Sequence, residues 1–366
     1  MFVLQLGLIG LCVAMLPLSY VWVSADTSKF RKLLWVTTFL TLDLVMFGSF
    51  TRLTDSGLGC PDWPGCYGTS SPFIAHAAIS AAQQALPTGP VTITKAWIEM
   101  IHRYLAMALG ALIVVQMVIG WIRRRSLPLS PWWPTLLFAL VCLQGAFGAW
   151  TVTLKLQPVI VTTHLLLALV LLGTLGWIAS SLTPVPPGQA VPGGWQWAAI
   201  AGLLLLVVQI ALGGWVSTNY AVLACLDFPT CQGRWVPSMD FAQGFHLWRA
   251  LGRTANGDYI SQQALIAIHW THRVFAFVVF AYLLWLSLKL KRFTRLAGPA
   301  KVLLVLLFVQ MGTGMSNILL RWPLANAVAH NGGAAILMLT LVMLNYRLAS
   351  SRFGPAVAST GAAIQT

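Results

Sequence analysis

Acidic residues are what this 366-residue chain has least of: eight Asp and Glu stand against 22 Lys and Arg, and Glu99 is the single glutamate. Charged residues of both signs make up only 8% of the sequence, too few to cover the surface of a water-soluble domain. No Lys or Arg precedes the first apolar run, whereas Lys29, Arg31 and Lys32 follow it. That order is the reverse of a secretory leader and predicts a retained helix with its N-terminus outside, although Val23-Ser24-Ala25 ends the run with small residues.

What is present is apolar: 58% hydrophobic residues, 17 Trp and a mean hydropathy of +0.79. Runs long enough to cross a bilayer predict nine spans, near 3–23, 34–50, 96–121, 132–152, 159–180, 195–216, 261–287, 299–320 and 325–346. The second is short and carries Asp43. The net charge of +14 is gathered in short clusters between spans (Arg123 to Arg125; Lys289, Lys291, Arg292, Arg295), which reads as topology and not as a nucleic-acid stripe. By the positive-inside rule the C-terminal tail is cytoplasmic, and the long loops 51–95 and 217–260 face outward. Pro72 to Ala85 and Phe241 to Leu251 each predict a short helix laid over the outer face.

The chain repeats itself. Gly48 leads to Cys60-Pro-Asp-Trp-Pro-Gly-Cys66-Tyr-Gly68, and Gly213 leads over the same distance to Cys225-Leu-Asp-Phe-Pro-Thr-Cys231-Gln-Gly233. His102-Arg103 answers His272-Arg273, Gln144 and Gly148 answer Gln310 and Gly314, and His164 answers His330. The expected fold is an all-α polytopic membrane protein: a tandem pseudo-twofold repeat of two four-helix bundles plus an extra N-terminal transmembrane helix. Its parts are that helix and a basic loop (1–33), a first repeat (34–180), a Pro- and Gly-rich linker (181–194), a second repeat (195–347) and a tail (348–366).

Four of the seven His thus recur in pairs near the outward ends of their spans. Two opposed imidazoles in a helix bundle are the usual way to hold a haem iron from both faces. Without a Cys-x-x-Cys-His run such a haem is not covalently attached. Hydrogen-bonded helix-contact His is the plain alternative; zinc or copper is poorly served by two His alone. For Cys60 with Cys66 and Cys225 with Cys231 a disulfide is expected in each outward loop, with a redox-active dithiol as the sharper alternative and metal binding third. Cys12 and Cys142 fall within spans.

The two repeats differ at one place that matters. Three residues before its His, on the same helix face, the first has Glu99 and the second has His269. An ionisable residue in a span marks a functional site, and a carboxylate beside a haem can move protons. The plain reading pairs Glu99 with Arg52 or Arg103; Arg52, Arg103 and Arg273 can equally face haem propionates.

The chain resembles the haem A synthase family, on Thr51-Arg-Leu-Thr-Asp-Ser-Gly-Leu, Glu99-Met-Ile-His102-Arg, Gln144-Gly-Ala-Phe-Gly-Ala-Trp-Thr-Val, Pro158, His164, His272-Arg and His330. The resemblance spans roughly 34–347, its cysteine loops are like those of bacterial members, and the helix at 3–23 is extra to a unit of eight. It implies oxidation of the C8 methyl of haem O to a formyl group, giving haem A for cytochrome oxidase. Glu99, His102 and His164 would be catalytic around the substrate haem O, with haem B resident between His272 and His330. It further implies a haem O synthase upstream, an unidentified electron donor, a bacterial inner-membrane location, and neither requires nor excludes a homo-oligomer. Rival readings are a two-haem b-type electron-transfer cytochrome, against which the Glu99 and His269 difference speaks, and a haem carrier or transporter.

Overall fold

Every backbone polar group inside a bilayer has to find its partner within the chain, which leaves the helix as the one open-ended solution. The computed structural model describes residues 2–26, 28–184 and 191–351; the middle of the expected linker and the tail from 352 lie outside them. Nine helices among the described residues are long and apolar enough to span a membrane. They are α1 (Phe2–Val23), α2 (Lys29–Leu53), α4 (Ile93–Ile122), α5 (Trp132–Thr153), α6 (Pro158–Ser181), α7 (Gly194–Thr218), α9 (Gln262–Leu290), α10 (Thr294–Leu319) and α11 (Leu324–Ser351). Two short helices, α3 (His76–Ala85) and α8 (Phe241–Gly244), lie in the long connections.

All nine expected spans are present, and most are longer than their apolar runs. At 1.5 Å per residue the 30-residue α4 measures about 45 Å, more than the ~30 Å of hydrocarbon, so its ends extend into the interfacial layers. Thr92 caps it by accepting from Lys95 N at 3.2 Å. The helix expected at 241–251 is a single turn. It stops at Gly244, whose backbone is pressed so close to Ala264 that a Cβ would stand 2.8 Å from that carbonyl oxygen, while Trp215 Nε1 donates to Gly244 O at 2.9 Å. Asp43 lies on an exposed face of α2.

The helices close two rings. In one, α2 packs on α4, α4 on α5, α5 on α6 and α6 back on α2; in the other, α7, α9, α10 and α11 do the same. The rings meet where α11 packs on α2 and α6, and α6 on α7. A single apolar cluster crosses that meeting, with Leu169 and Leu172 of α6, Leu206 of α7, Leu283 of α9 and Leu337 and Leu341 of α11. Helix ends coincide too: the chain turns left-handed at Asp55 and Tyr220 after α2 and α7, and at Lys155, Leu156, Arg321 and Trp322 after α5 and α10.

Lipid tails are as apolar as Leu, so helices associate here through close packing at small residues and through interhelical hydrogen bonds. Gly173 of α6 takes Met338 and Val342 of α11, and Gln116 Nε2 of α4 donates to Thr37 Oγ1 of α2 at 2.6 Å. The first helix docks on α4 in the same way. A Cβ on Gly10 would meet Met107 Cβ at 2.8 Å, whereas one on Gly7 would meet nothing within 4 Å. Gly10→Leu should therefore cost about 1–3 kcal/mol by overpacking and lower the unfolding midpoint in detergent, with Gly7→Leu unchanged. Equal midpoints for the two variants would contradict this docking.

Candidate active site

The four repeated His sit within about three turns of the N-terminal ends of α4 and α9, which follow the long loops, and of α6 and α11, which follow short turns. They form two pairs, His102 with His164 and His272 with His330, each partner within electrostatic reach of the other. Every ring lies against a glycine of the neighbouring helix. A Cβ added there would stand 3.0 Å from Cε1 of His102 at Gly48, 3.4 Å from His164 at Gly148, 3.0 Å from His272 at Gly213 and 3.0 Å from His330 at Gly314. All four residues are half-buried.

The hydrogen bonds around the rings are less regular. Gln144 Nε2 donates to the His164 carbonyl at 3.0 Å and lies 3.4 Å from the ring Nε2. Gln310 does the same for His330, at 3.0 and 3.5 Å. Gln209 does it for His272, donating to the carbonyl at 3.2 Å with its amide 3.1 Å from Nδ1. Thr313 Oγ1 lies 3.0 Å from Nδ1 of His330 and donates to Gln310 O. His102 has no such partner; its ring stacks on Phe47, centroids 6.1 Å apart. The Nδ1 atoms of His102 and His164 are buried with no hydrogen-bond partner among the described residues.

This donor set fits an iron that brings its own equatorial nitrogens. No group of three His, Cys, Asp or Glu gathers among the described residues, so a bare zinc or copper ion would lack ligands, whereas a porphyrin asks only for two axial ones.

Glu99 is buried, as expected of a residue that needs a partner in a span, and its partners are local. Oε1 forms an ion pair with Arg103 on the next turn, and Oε2 accepts from Cys60 N at 2.7 Å. The plain expectation for Glu99 is therefore present in the geometry. Arg103 in turn donates to the carbonyls of Asp62, Pro64 and Gly65. Arg273 treats the second loop alike, donating to Asp227 O and Thr230 O at 2.8 Å and to Cys225 O at 2.7 Å. Both guanidinium groups, which the sequence offers equally as partners for propionates, donate through their terminal nitrogens to the cysteine loops, and Nε of Arg273 is buried with no partner among the described residues. Arg52 donates to Ser217 O at 2.6 Å and pairs with Asp55 at 3.2 Å, while Tyr220 OH donates to Asp55 at 2.6 Å. It thus ties one ring of helices to the other. His269 is buried beside Arg273.

The cysteine loops are closed covalently, Cys60 to Cys66 at 2.09 Å and Cys225 to Cys231 at 1.96 Å. In each an Asp side chain turns the chain: Asp62 accepts from Tyr67 N and Gly68 N, and Asp227 from Gln232 N and Gly233 N. Gly68 and Gly233 take φ of +68° and +72°, which a side chain would strain.

Sequence reasoning named Gln144 and Gln310 as repeat markers and missed what they hold. It missed Gln209 and Thr313 altogether, since their counterparts Leu44 and Phe147 are apolar and no repeat signal points to them.

Two outcomes follow for the loops. Alkylation of unfolded protein without reductant should spare Cys60, Cys66, Cys225 and Cys231 and label Cys12 and Cys142, which are free; labelling of the loop cysteines would exclude the disulfides. For Asp227, desolvation raises the carboxyl but the bonds from Thr230, Gly233 and Gln232 outweigh it and hold it at about 2. A group depressed on folding stabilises above its unfolded value near 4. The second loop should accordingly loosen only as pH falls from about 4 toward 2, seen as faster hydrogen exchange at Gln232 and Gly233; exchange protection constant down to pH 2 would refute it.

Residues 31–342, leaving out α1, match the COX15-CtaA family, described as cytochrome oxidase assembly proteins. The chain is 38% identical over 319 residues to the heme A synthase of Shewanella oneidensis, covering 86% of this chain and 96% of that one. It is 29% identical over 336 residues to that of a Caulobacter strain, K31 (86% and 94%), and 26% over 305 residues to that of Halalkalibacterium halodurans (81% and 90%). With that match added to two glycine-cradled histidine pairs and the nine membrane-length helices among the described residues, the chain belongs to the COX15-CtaA family of cytochrome oxidase assembly proteins.

Proposed function

We propose that this chain is a haem A synthase, oxidising the C8 methyl of haem O to the formyl group of haem A. The observation that carries the reading is the pair of His pairs, each ring set against a glycine, in a chain whose relatives are named for this activity. The two rings of helices are taken as a duplicated unit, 34–180 and 195–347, joined by a linker at 181–194, preceded by an extra helix and loop (1–33) and followed by a tail (348–366). The matching helix ends, cysteine loops and ring contacts support that division.

In this reading haem O is the substrate between His102 and His164, and haem B is resident between His272 and His330. When bound, the iron supplies the oxygen chemistry that a methyl C–H bond demands, through successive hydroxylations and loss of water. The chain supplies orientation, a dry site and control of protons. His102 and His164 fix the depth of the substrate in the first bundle. Glu99 is one turn from His102 on α4 and bonded to the first cysteine loop, so it is placed to carry a proton between that loop and the site. The second bundle has His269 in its place and suits electron passage. Arg103 and Arg273 brace the loops through their terminal guanidinium nitrogens, and Arg52 ties the halves.

Disulfides need an oxidising compartment and the basic clusters lie at the opposite ends of the spans, which supports a bacterial inner membrane with the long loops outward. The reaction takes haem O from its synthase, draws on an electron donor and serves cytochrome oxidase assembly.

Pigment extracted from purified protein, wild type and Glu99→Gln, tests the reading. Wild type is expected to yield non-covalent haem B with haem O or haem A. Glu99→Gln should keep its haem and lose haem A formation at least about 100-fold, the lower end of what removing one proton-transfer group costs. Haem B alone at two per chain, unaffected by haem O supply, would favour an electron-transfer cytochrome. Normal haem A from Glu99→Gln would remove Glu99 from catalysis.

A further inference from the structure

The four His are not held alike, and the difference follows a pattern. In the second bundle both rings have an Nδ1 partner: Gln209 for His272 and Thr313 for His330, at 3.1 and 3.0 Å. In the first bundle both Nδ1 atoms are buried and without one. The cause is two substitutions in the repeat. Leu44 stands four residues before Gly48 where Gln209 stands four before Gly213, and Phe147 stands one before Gly148 where Thr313 stands one before Gly314. Gln144 donates to the His164 carbonyl and lies at that ring's Nε2, not its Nδ1; His102 has neither contact, only the face of Phe47.

A ligating imidazole is oriented, and its basicity raised, by the hydrogen bond its other nitrogen makes, and losing that bond typically costs 10–100-fold in metal affinity. The Thr313 hydroxyl can accept from Nδ1 of His330 while it donates to Gln310 O, and the Gln209 amide nitrogen is held on the His272 carbonyl beside Nδ1 of that ring.

We infer that His102 is the labile axial ligand, the ring that gives up its bond to iron and opens a coordination position in the first bundle. His164 anchors that haem, and the second bundle keeps both axial bonds. The inference rests on the reading of these four His as haem ligands. When His102 leaves, the lone pair returns to its ring nitrogen and no proton or electron is transferred. The ring has a surface to swing along: Phe47 stacks on it within 10° of parallel and forms no hydrogen bond to restrain it. The glycine at 48 keeps the ring close when bound.

Carbon monoxide competes for an axial position, so it reads lability without turnover. The experiment titrates the reduced, detergent-purified full chain carrying its haems and follows the absorbance. Wild type should bind carbon monoxide at the first haem and not at the second. Leu44→Gln, which restores the amide found at Gln209, should weaken that binding about 10–100-fold with the haem retained. Gln209→Leu should make the second haem reactive. His102→Ala should keep the first haem and bind carbon monoxide at least as well as wild type, while His164→Ala should lose that haem. Unchanged affinity in Leu44→Gln together with an inert second haem in Gln209→Leu would overturn the inference, as would loss of haem from His102→Ala and its retention in His164→Ala. Should Leu44→Gln not fold, Gln209→Leu and the two His variants decide alone. Purified protein with no haem at all would instead sink the haem reading itself, which separates the two failures.

Discussion

A glycine faces each of the four histidine rings, and the spacing of the helices around the site depends on there being no side chain at those places. A Cβ 3.0 Å from an imidazole carbon is tighter than nearly all packed contacts, so a larger residue at Gly48, Gly213 or Gly314 would make the ring or the helix give way by a few tenths of an ångström. With glycine there, α2 lies against α4 and α7 against α9 closely enough for van der Waals packing to hold them, which in lipid is the main attraction available. Glycine weakens a helix by about 1 kcal/mol relative to alanine, a small loss when the hydrocarbon around it leaves the backbone no other partner.

Above the rings, charge is handled in two ways. The first bundle buries an ion pair, Arg103 with Glu99, whose second oxygen is bonded to the cysteine loop. The second buries a guanidinium with no carboxylate on the next turn and surrounds it with loop carbonyls instead. A buried charge has to be met by opposite charge or by oriented dipoles, and both solutions fix a disulfide-closed loop over the helix that carries the His. The loops are therefore lids whose position is set from below. Glu99 differs from His269 in more than its charge: it joins the loop to the helix in one contact.

The seam between the bundles is polar at the loop end and apolar below. Arg52, Ser217, Asp55 and Tyr220 meet across it, and Thr162 and Thr218 meet at 3.1 Å. Further in, Leu169 and Leu172 of one half share a cluster with Leu206, Leu283 and Leu337 of the other. A shared apolar core with directional bonds at one end holds the two histidine pairs in a fixed relation, which electron passage from one to the other would require.

By itself the sequence determined the nine helices, because apolar runs of about 20 residues have no other stable state in a bilayer. It also determined which His, Cys and Gly correspond, since two copies of one pattern can be laid side by side. Three things were decided only by the tertiary structure. The direction of Arg103 and Arg273 depends on where the loops fold back, which spacing along the chain does not encode. The end of α8 at Gly244 depends on its approach to α9. The unequal support of the four rings rests on Gln209 and Thr313, whose importance shows only when their side chains are seen to reach an imidazole on another helix. Sequence periodicity reports which face of a helix is apolar; which atom meets which across two helices follows from their crossing and separation, and those are fixed by packing.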